Sequence, residues 1–316
     1  MTRRLLVTGG AGFIGSHLVR RLLDAGDKVV VLDDFSASAD PALEDHPELS
    51  VVVGDVRRAA DVNRAVAEVL SSPPSEPQSG SPRESRDDVI VHLASVVGVE
   101  AVLADPRRTG SVIRSGTEQA LVAARRLGAR VLFFSTSEVT DAARCGPRSV
   151  YAEAKRDAER LLMEQAAGEQ GVPVTIVRPF NIVGPGQRAP GMVLPAMARA
   201  ARAGARMPIH GTGRQERSFL HVEDCVDATF RLLDAPMNGR AEVVEIGSEE
   251  RTSISCLAEQ LSKMAGQGAS LSCAAMDEGR EDLPRRAPNL GPLRQRVPFE
   301  PRWKLSEILR QALVHA

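Results

Sequence analysis

The sequence predicts an α/β fold, a doubly wound parallel sheet followed by a smaller mixed α/β C-terminal lobe. Two observations predict the sheet: short runs of Val, Ile and Leu alternate with segments of helical period, and a glycine-rich turn follows the first run directly. A third observation predicts the smaller lobe, because the strand and helix rhythm becomes irregular from "GPGQRAPGMVLPAMARAARAG" onward.

The predicted elements follow the chain in βαβ order. The strand "RLLVTGG" precedes the helix "GSHLVRRLLDAG" and the strand "KVVVLDD", and then come "LSVVVGD", the helix "DVNRAVAEVL" and "DVIVHLAS". The helix around "GTEQALVAARRLG", the strand "RVLFFSTS", the helix "SVYAEAKRDAERLLMEQAAG" and the strand "VPVTIVRPFN" complete the series. We predict a first domain over residues 1–180, to which the chain returns around 220–250, and a second lobe mainly over 181–316.

One segment interrupts the series. Residues 71–88, "SSPPSEPQSGSPRESRDD", combine prolines, serines and charges with almost nothing apolar. Such a composition does not offset the entropy of ordering, so the sequence predicts a disordered surface insert between a helix and the next strand.

Composition narrows the classes of partner. With 40 basic and 41 acidic residues, no overall field favours nucleic acid or an anionic membrane, so a small molecule is the expected partner. The four cysteines are widely scattered, which is typical of reduced thiols, and no apolar run approaches the length of about 18 residues that a membrane span needs. The sequence therefore predicts a cytoplasmic protein, and we predict no metal site.

The first predicted turn has the features of a dinucleotide-binding loop. In "TGGAGFIGSH", Gly9, Gly12 and Gly15 follow a strand and open a helix, so the backbone approaches a pyrophosphate at the helix N-terminus. Asp33 closes the second strand, where a carboxylate accepts hydrogen bonds from a ribose 2′-hydroxyl and repels a 2′-phosphate. We therefore predict NAD rather than NADP. Asp55 ends another strand, where it either lies beside the adenine or caps a helix.

The only tyrosine of the chain, Tyr151, is followed four residues later by Lys155. The two share one face of a predicted helix. A free tyrosine titrates near ~10, but a nearby ammonium and an oxidised nicotinamide both favour phenolate, so Tyr151 is a candidate general base. The hydroxyls of Ser135, Thr136 and Ser137, at the end of the preceding strand, are candidates to bind the same substrate hydroxyl.

These motifs resemble those of the extended short-chain dehydrogenase/reductase family, the NAD-dependent nucleotide-sugar epimerases, dehydratases and decarboxylases with a Rossmann domain. The resemblance covers nearly the whole chain apart from 71–88. It rests on "TGGAGFIGSH", "VHLAS", "YAEAK", "VRPFNIVGPGQ", "GTGRQERSFLHVEDCVDA", "VEIGSEERTSISCLAEQL" and "PRRAPNLGPLRQRVPFEPRWKLSEIL". It implies bound NAD, a nucleoside-diphosphate sugar in the C-terminal lobe, and oxidation at C4 of the sugar with Tyr151 taking the hydroxyl proton.

The same resemblance assigns residues to the cofactor. Lys155 would hold the nicotinamide ribose. The predicted cofactor-binding set is Gly9, Gly12, Phe13, Ile14, Gly15, Asp33, Asp34, Asp55, Val56, Leu93, Ala94, Ser95, Tyr151 and Lys155.

For the substrate, the resemblance places Asn181 and Arg217 at the diphosphate or sugar and His210 near the nucleobase. Arg217 has a surface ion pair as its alternative role, and for His210 and His221 a structural role is an equal alternative. The full predicted substrate-binding set is Asn181, Arg188, Leu194, His210, Arg217 and Arg286.

The residues around the strand end bear on the reaction. A dehydratase needs an acid where this chain has Ser137, which argues against dehydration. "STSEV", with Glu138, resembles the UDP-glucuronate decarboxylases, in which a ketone at C4 makes the C5 carboxylate a β-keto acid that loses CO2. Arg286 matches the decarboxylase position that holds this carboxylate, and Arg188 matches the corresponding position of UDP-glucuronate 4-epimerases. We predict an NDP-hexuronate decarboxylase, with a nucleotide-sugar 4-epimerase as the alternative and Tyr151, Lys155, Thr136, Ser137 and Glu138 as the catalytic set.

Three departures from the family pattern stand out. The segment 139–150 before Tyr151 is short, Ile113 replaces an asparagine that usually precedes "GT", and Cys145 lies in the shortened segment without a predicted base beside it. A catalytically silent NAD-binding regulatory protein is the alternative from another class, which the presence of both Tyr151 and Lys155 disfavours. The helices "PRRTGSVIRSGTEQALVAARRLG" and "SVYAEAKRDAERLLMEQAAG" correspond to those that pair in dimeric relatives, so we expect a homodimer.

Overall fold

A computed structural model of the chain confirms the predicted fold class, a parallel sheet with helices on both faces. The structure describes residues 3–37, 43, 45–72, 88–144, 149–168, 170–187, 192–237, 239–266, 271–274 and 285–315. The strands are β1 (Arg4–Thr8), β2 (Lys28–Asp33), β3 (Leu49–Val53), β4 (Val89–His92), β5 (Arg130–Phe134), β6 (Val174–Pro179), β7 (Ile182–Val183), β8 (Met207–His210), β9 (Glu216–Ser218), β10 (Leu220–His221), β11 (Ala241–Ile246), β12 (Arg251–Ser253), β13 (Leu271–Ala274) and β14 (Arg285–Arg286). The helices are α1 (Phe13–Asp24), α2 (Ala59–Ser71), α3 (Val99–Ala104), α4 (Pro106–Leu127), α5 (Ser149–Ala166), α6 (Val193–Arg202), α7 (Val222–Asp234), α8 (Ile254–Met264), α9 (Gly291–Arg296) and α10 (Leu305–Val314), with a 3-10 helix over Ser137–Arg144.

Seven of the strands form the central sheet, in the order β11-β6-β5-β4-β1-β2-β3. All neighbours in it are parallel. The direction of winding reverses between β1 and β4, and ligands of such sheets bind at this switch point, outside the carboxyl ends of the strands.

Alternating side chains of the strands supply two cores, one on each face of the sheet. In β1, Leu5 and Val7 belong to the core on one face, and Leu6 belongs to the core on the other. All three are at most 1% exposed. Burial on both faces explains why the strands are continuous apolar runs rather than alternating ones.

Helix α4 is held at both ends by local sequence. The Asp105 side chain accepts a hydrogen bond from the Arg108 amide at 2.8 Å, and Pro106 stands in the first turn. The helix ends at Gly128, whose φ of 65° is the left-handed conformation that glycine adopts without strain. These caps fix the side chains of the first turn beside the carboxyl ends of the strands.

The C-terminal half contributes both to the sheet and to a separate core. Strand β11 pairs with β6 at the edge of the sheet. Helices α6, α8 and α10 surround a third core with β8. The division of the chain into domains at residue 180 stays a prediction.

The predicted insert, residues 71–88, includes residues at both ends whose structure is described. Ser71 ends α2, and Asp88 is 3% exposed because its carboxylate pairs with Arg4. Residues 73–87 lie outside the described residues. Across the described part of the chain, no helix has both the length and the apolar character that crossing a membrane requires.

Candidate active site

A cavity of about 330 Å³ lies along the carboxyl ends of the parallel strands. Its walls include residues that follow β1, β2, β3, β4, β5 and β6, because the ends of parallel strands meet at one edge of the sheet. Most of the predicted site residues line it: Gly9, Gly12, Phe13, Ile14, Gly15, Asp33, Asp34, Asp55, Val56, Leu93, Ala94, Ser95, Thr136, Ser137, Glu138, Tyr151, Lys155 and Asn181.

At two of its positions, the glycine loop packs against backbone atoms too tightly for a side chain. A Cβ atom on Gly9, whose φ is +74°, would stand 2.6 Å from the Ala94 amide nitrogen. One on Gly15 would stand 2.2 Å from the Gly9 carbonyl oxygen. Gly12 differs, because the Gly9 oxygen at 3.2 Å is the one described heavy atom that its Cβ would approach. The N-terminus of α1 therefore opens onto the cavity, as a pyrophosphate requires.

Carboxylates also line the end of the cavity where the glycine loop lies. Asp33 accepts hydrogen bonds from the amides of Ala11 at 2.9 Å and Phe35 at 2.8 Å. Burial nevertheless raises the pKa of Asp33 above its ordinary value, although both backbone hydrogen bonds oppose the shift. Asp55 is paired with Arg57, whose hydrogen bonds hold the pKa of Asp55 below its ordinary value.

At the other end, hydroxyl groups gather around Tyr151. The Tyr151 phenol is hydrogen-bonded to Thr136, and the Thr136 hydroxyl also accepts from the Glu138 amide at 3.2 Å. Ser135 is 3% exposed, and its hydroxyl has no hydrogen-bond partner among the described residues. A buried polar atom without a partner is costly, so Ser135 is suited to bind a group that enters the cavity.

Lys155 is buried beside Tyr151 at this end of the cavity. Its ammonium donates to the Phe134 carbonyl at 2.7 Å and lies 4.7 Å from the centre of the Phe133 ring. Burial lowers the pKa of Lys155 to about 7, with Glu159 opposing the shift. The pKa of Tyr151 is raised, first by burial and then by the charge of Glu138, with Thr136 opposing. In the protein without NAD, desolvation thus disfavours charge on both groups, and the expectation that Lys155 and an oxidised nicotinamide together favour phenolate stays a prediction.

Several predicted substrate-binding residues lie elsewhere. Leu194 is 1% exposed and packs in the C-terminal core, which removes its side chain from the cavity. Arg217 is buried, and it donates to the Glu216 carbonyl at 2.6 Å without lining the cavity. Arg188 lies outside the described residues, as do the side chains of His210 and Arg286.

His221 has a structural position. Its ring stacks on that of Trp303, with 3.9 Å between the ring centroids. Its Nδ1 atom accepts a hydrogen bond from the Glu223 amide at the start of α7. Gln311 contacts Nε2 at 2.6 Å.

The sequence did not identify part of the lining. Five valines, Val96, Val97, Val99, Val102 and Val112, form an apolar wall from the segment after β4 to α4. Ser36, Arg108, Gln187 and Met192 are further lining side chains that the sequence did not identify. They lie in irregular segments or within the first two turns of helices, where periodicity carries no signal about a cavity. Among the described residues, no cluster of three or more His, Cys, Asp or Glu side chains could hold a metal ion.

Comparison with known proteins defines the class. The profile of the NAD dependent epimerase/dehydratase family matches residues 5–72 and 81–247, and the chain belongs to this family. It is 30% identical to UDP-N-acetyl-alpha-D-glucosaminuronate decarboxylase of Bacillus cytotoxicus, over 99% of this chain and 97% of the relative. It is 29% identical to UDP-glucuronic acid decarboxylase 1 of Xenopus tropicalis, over 98% of this chain and 71% of the relative. A solved structure of MoeE5 in complex with UDP-glucuronic acid and NAD superposes with a TM-score of 0.78 at 27% identity, over 98% of this chain and 97% of that one.

The family confirms the prediction of NAD as the cofactor. The site fits this group, since Gly12 leaves the N-terminus of α1 open and the Asp33 carboxylate lines the same cavity. The apolar side chains between these groups suit the faces of the adenine and nicotinamide rings. The roles of the individual site residues stay predictions.

Proposed function

We propose that this protein is an NAD-dependent decarboxylase of a nucleoside-diphosphate hexuronate, with UDP-glucuronate as the reference substrate. The observation that carries the proposal is a single cavity that is lined by Tyr151, Thr136 and Glu138 at one end and by the glycine loop at the other. The full-length similarity to two named uronate decarboxylases supports the substrate class.

The residues define the roles in the reaction. Tyr151 takes the proton of the sugar C4 hydroxyl, while the Ser135 hydroxyl, which has no described partner, and the Thr136 hydroxyl orient that oxygen. NAD, when bound, accepts the C4 hydride and returns it at the end of the cycle, so the net reaction consumes no oxidant.

Loss of CO2 follows from the ketone at C4. The bond between C5 and the carboxylate breaks, and its electron pair moves to the C4 oxygen, next to the protonated Tyr151. A proton is then added at C5, and in this proposal Glu138, which lines the cavity, orients either the carboxylate-bearing ring or the water that delivers the proton. Arg286 or Arg188 holds the carboxylate in this proposal, on the strength of the motifs "PRRAPNL" and "GPGQR".

The test is incubation of the protein with UDP-glucuronic acid and NAD, followed by 1H NMR of the sugar with trapping of CO2. UDP-N-acetylglucosaminuronic acid is the second substrate to assay. Release of CO2 with a pentose product supports decarboxylation, whereas UDP-galacturonate without CO2 would replace it by 4-epimerisation.

Tyr151→Phe is the matched variant for this assay. Because it removes only the hydroxyl that takes the proton, turnover is expected to fall by about 10²- to 10⁴-fold while NAD remains bound. Unchanged turnover would contradict the role of Tyr151 and favour a base elsewhere. Unchanged NAD binding in an inactive variant excludes misfolding as the cause.

We also propose a homodimer that forms through α4 and α5. These two helices pack together along the same side of the molecule, and each carries an exposed apolar side chain, Val122 and Met163. The cytoplasmic location predicted from the scattered cysteines is proposed with it, supported by the free thiols of Cys225 and Cys256.

A further inference from the structure

Arg108 joins two elements beside the cavity. It lies in the first turn of α4, and its Nη2 atom donates to Asp34 Oδ2 at 3.3 Å and to Ser36 Oγ at 3.1 Å. Asp34 and Ser36 belong to the turn after β2, and all three residues line the cavity. The contact therefore bridges α4 and this turn at the end of the cavity where Asp33 and Asp55 lie.

Both sides of this contact are held by their own backbone. Asp34 Oδ1 accepts hydrogen bonds from the amide of Ser36 at 3.0 Å and from its hydroxyl at 2.5 Å, so the turn presents Ser36 and Oδ2 together. On the other side, Asp105 fixes the Arg108 amide at 2.8 Å. Opening the bridge requires only that the guanidinium leaves its two partners.

The bridge is weak enough to open in each binding event. The side chains of Arg108 and Asp34 are 40% and 42% exposed, and both distances are long for hydrogen bonds that involve charged groups. Exposed ion pairs of this kind change an equilibrium or a rate by roughly two- to fivefold and are screened by salt.

We propose that Arg108, Asp34 and Ser36 form a clasp that closes over the adenosine end of bound NAD and slows its release. The proposal rests on the proposed function in one respect, that NAD occupies this cavity. NAD is regenerated at the end of each proposed cycle, so the reaction does not require its release. A contact that slows the release of NAD without affecting the chemical steps is compatible with such a cycle. Arg108 is a positioning residue in this proposal, because it acts at the end of the cavity remote from Tyr151.

The test measures release of the reduced cofactor without any sugar. Protein loaded with NADH is mixed with excess NAD, and the loss of NADH fluorescence gives the dissociation rate. Arg108→Met is expected to release NADH about threefold faster than the wild type. Raising the NaCl concentration is expected to accelerate release from the wild type but not from Arg108→Met, since only the former has the ion pair to screen.

The controls separate the clasp from a general effect on the helix. Arg107→Met alters an exposed neighbour in the same turn that does not line the cavity, and it is expected to release NADH at the wild-type rate with the wild-type salt dependence. Arg108→Lys keeps the charge and is expected to restore part of the slow release. Ser36→Ala is expected to accelerate release less than Arg108→Met, with no further acceleration when the two are combined.

Wild-type release rates and salt dependence in Arg108→Met would overturn the clasp, and so would an equal acceleration in Arg107→Met. The assay is independent of the sugar chemistry: failure to decarboxylate any uronate would leave the clasp intact. A wild-type protein that binds no NADH would overturn both proposals.

Discussion

Burial shifts the pKa values of two groups at the Tyr151 end of the cavity in the direction that disfavours their charged forms. The pKa of Tyr151 lies above its ordinary value because of burial and the charge of Glu138, and burial lowers the pKa of Lys155 to about 7. Tyr151 is therefore a neutral phenol in the protein alone. In the proposed reaction, Tyr151 acts as a base once positive charge is added beside it, and an oxidised nicotinamide carries such a charge.

This state of Tyr151 can be observed directly, because no other tyrosine contributes to the spectrum. We expect the near-ultraviolet absorbance of phenolate to stay absent up to about pH 10, where a free tyrosine is already half ionised. Glu138→Gln removes the second cause of the shift and is expected to bring the transition to lower pH. Phenolate absorbance at neutral pH in the protein without NAD would contradict the structure, and Tyr151→Phe gives the blank.

Another buried residue makes the free energy of unfolding depend on pH. His92, at the end of β4, is 1% exposed and contacts the hydroxyl oxygens of Thr8 at 2.6 Å and Thr117 at 3.4 Å through its two ring nitrogens. Burial, followed by the charge of Lys155, lowers its pKa to about 3. As the pH falls through 6.5, the unfolded chain binds a proton that the folded protein does not accept until about pH 3. His92 therefore lowers the free energy of unfolding as the pH falls across this window, by about 1.4 kcal/mol per pH unit.

His92→Gln is expected to remove this slope while costing stability at neutral pH through the altered packing. The measurement is urea denaturation from pH 7 down to the onset of acid unfolding, with the difference between variant and wild type plotted against pH. His46→Gln, at an exposed position, is the matched control. A difference between His92→Gln and the wild type that stays constant with pH would show that His92 binds its proton over the same pH range in the folded protein and in the unfolded chain, which would contradict the lowered pKa.

At the scale of elements, the strands and helices of the sheet could be predicted because hydrophobic period is a local property. The glycine loop could be predicted for the same reason. The contacts that exclude a Cβ atom at Gly9 and Gly15 come from a single βα turn and from the end of its neighbouring strand. The partner of Lys155 could not, because the Phe134 carbonyl reaches it from another element. The valine wall was missed because irregular segments have no period, and Leu194 was misplaced because its helix turns that face to the C-terminal core.

The borders of the predicted insert also depend on tertiary contacts. The Arg4 guanidinium donates to Asp88 at 3.0 and 2.6 Å and to the Ser72 carbonyl at 3.0 Å. One buried side chain thus holds the residues on both sides of 73–87 close together. The strand β1 that carries Arg4 is central in the sheet, so these two positions are fixed by the core itself.

We expect that a linker of about six Gly and Ser residues can replace 73–87 with little change in melting temperature. Asp88→Ala is expected to cost about 3–5 kcal/mol, because it leaves the buried Arg4 charge without its carboxylate. Both are measured by denaturation of the purified variants. A loss of stability on linker replacement comparable to that of Asp88→Ala would mean that 73–87 contributes to the fold.

At the scale of the whole molecule, the cavity lies along the carboxyl ends of the parallel strands, and the proposed dimer interface lies on one pair of helices. Helix α4 belongs to both: its first turn carries Arg108 at the cavity, and its later turns pack against α5 on the outer side. The parallel topology made the position of the cavity predictable before any contact was known, since it collects the ends of six strands. What a partner chain covers depends on exposed side chains, whose positions only the structure gives.

The proposed homodimer would form through α4 and α5. Val122 on α4 is 43% exposed and Met163 on α5 is 41% exposed, and a second copy of the same pair of helices would bury them. Replacing both by Glu places charge where the partner would pack, and it is expected to give monomers by light scattering at micromolar concentration without a change in melting of the monomer core. Leu70→Glu on α2, at a position 48% exposed, is the matched control and is expected to stay dimeric. A wild type that is monomeric in the same experiment would remove the dimer, and a double variant that remains dimeric would move the interface away from α4 and α5.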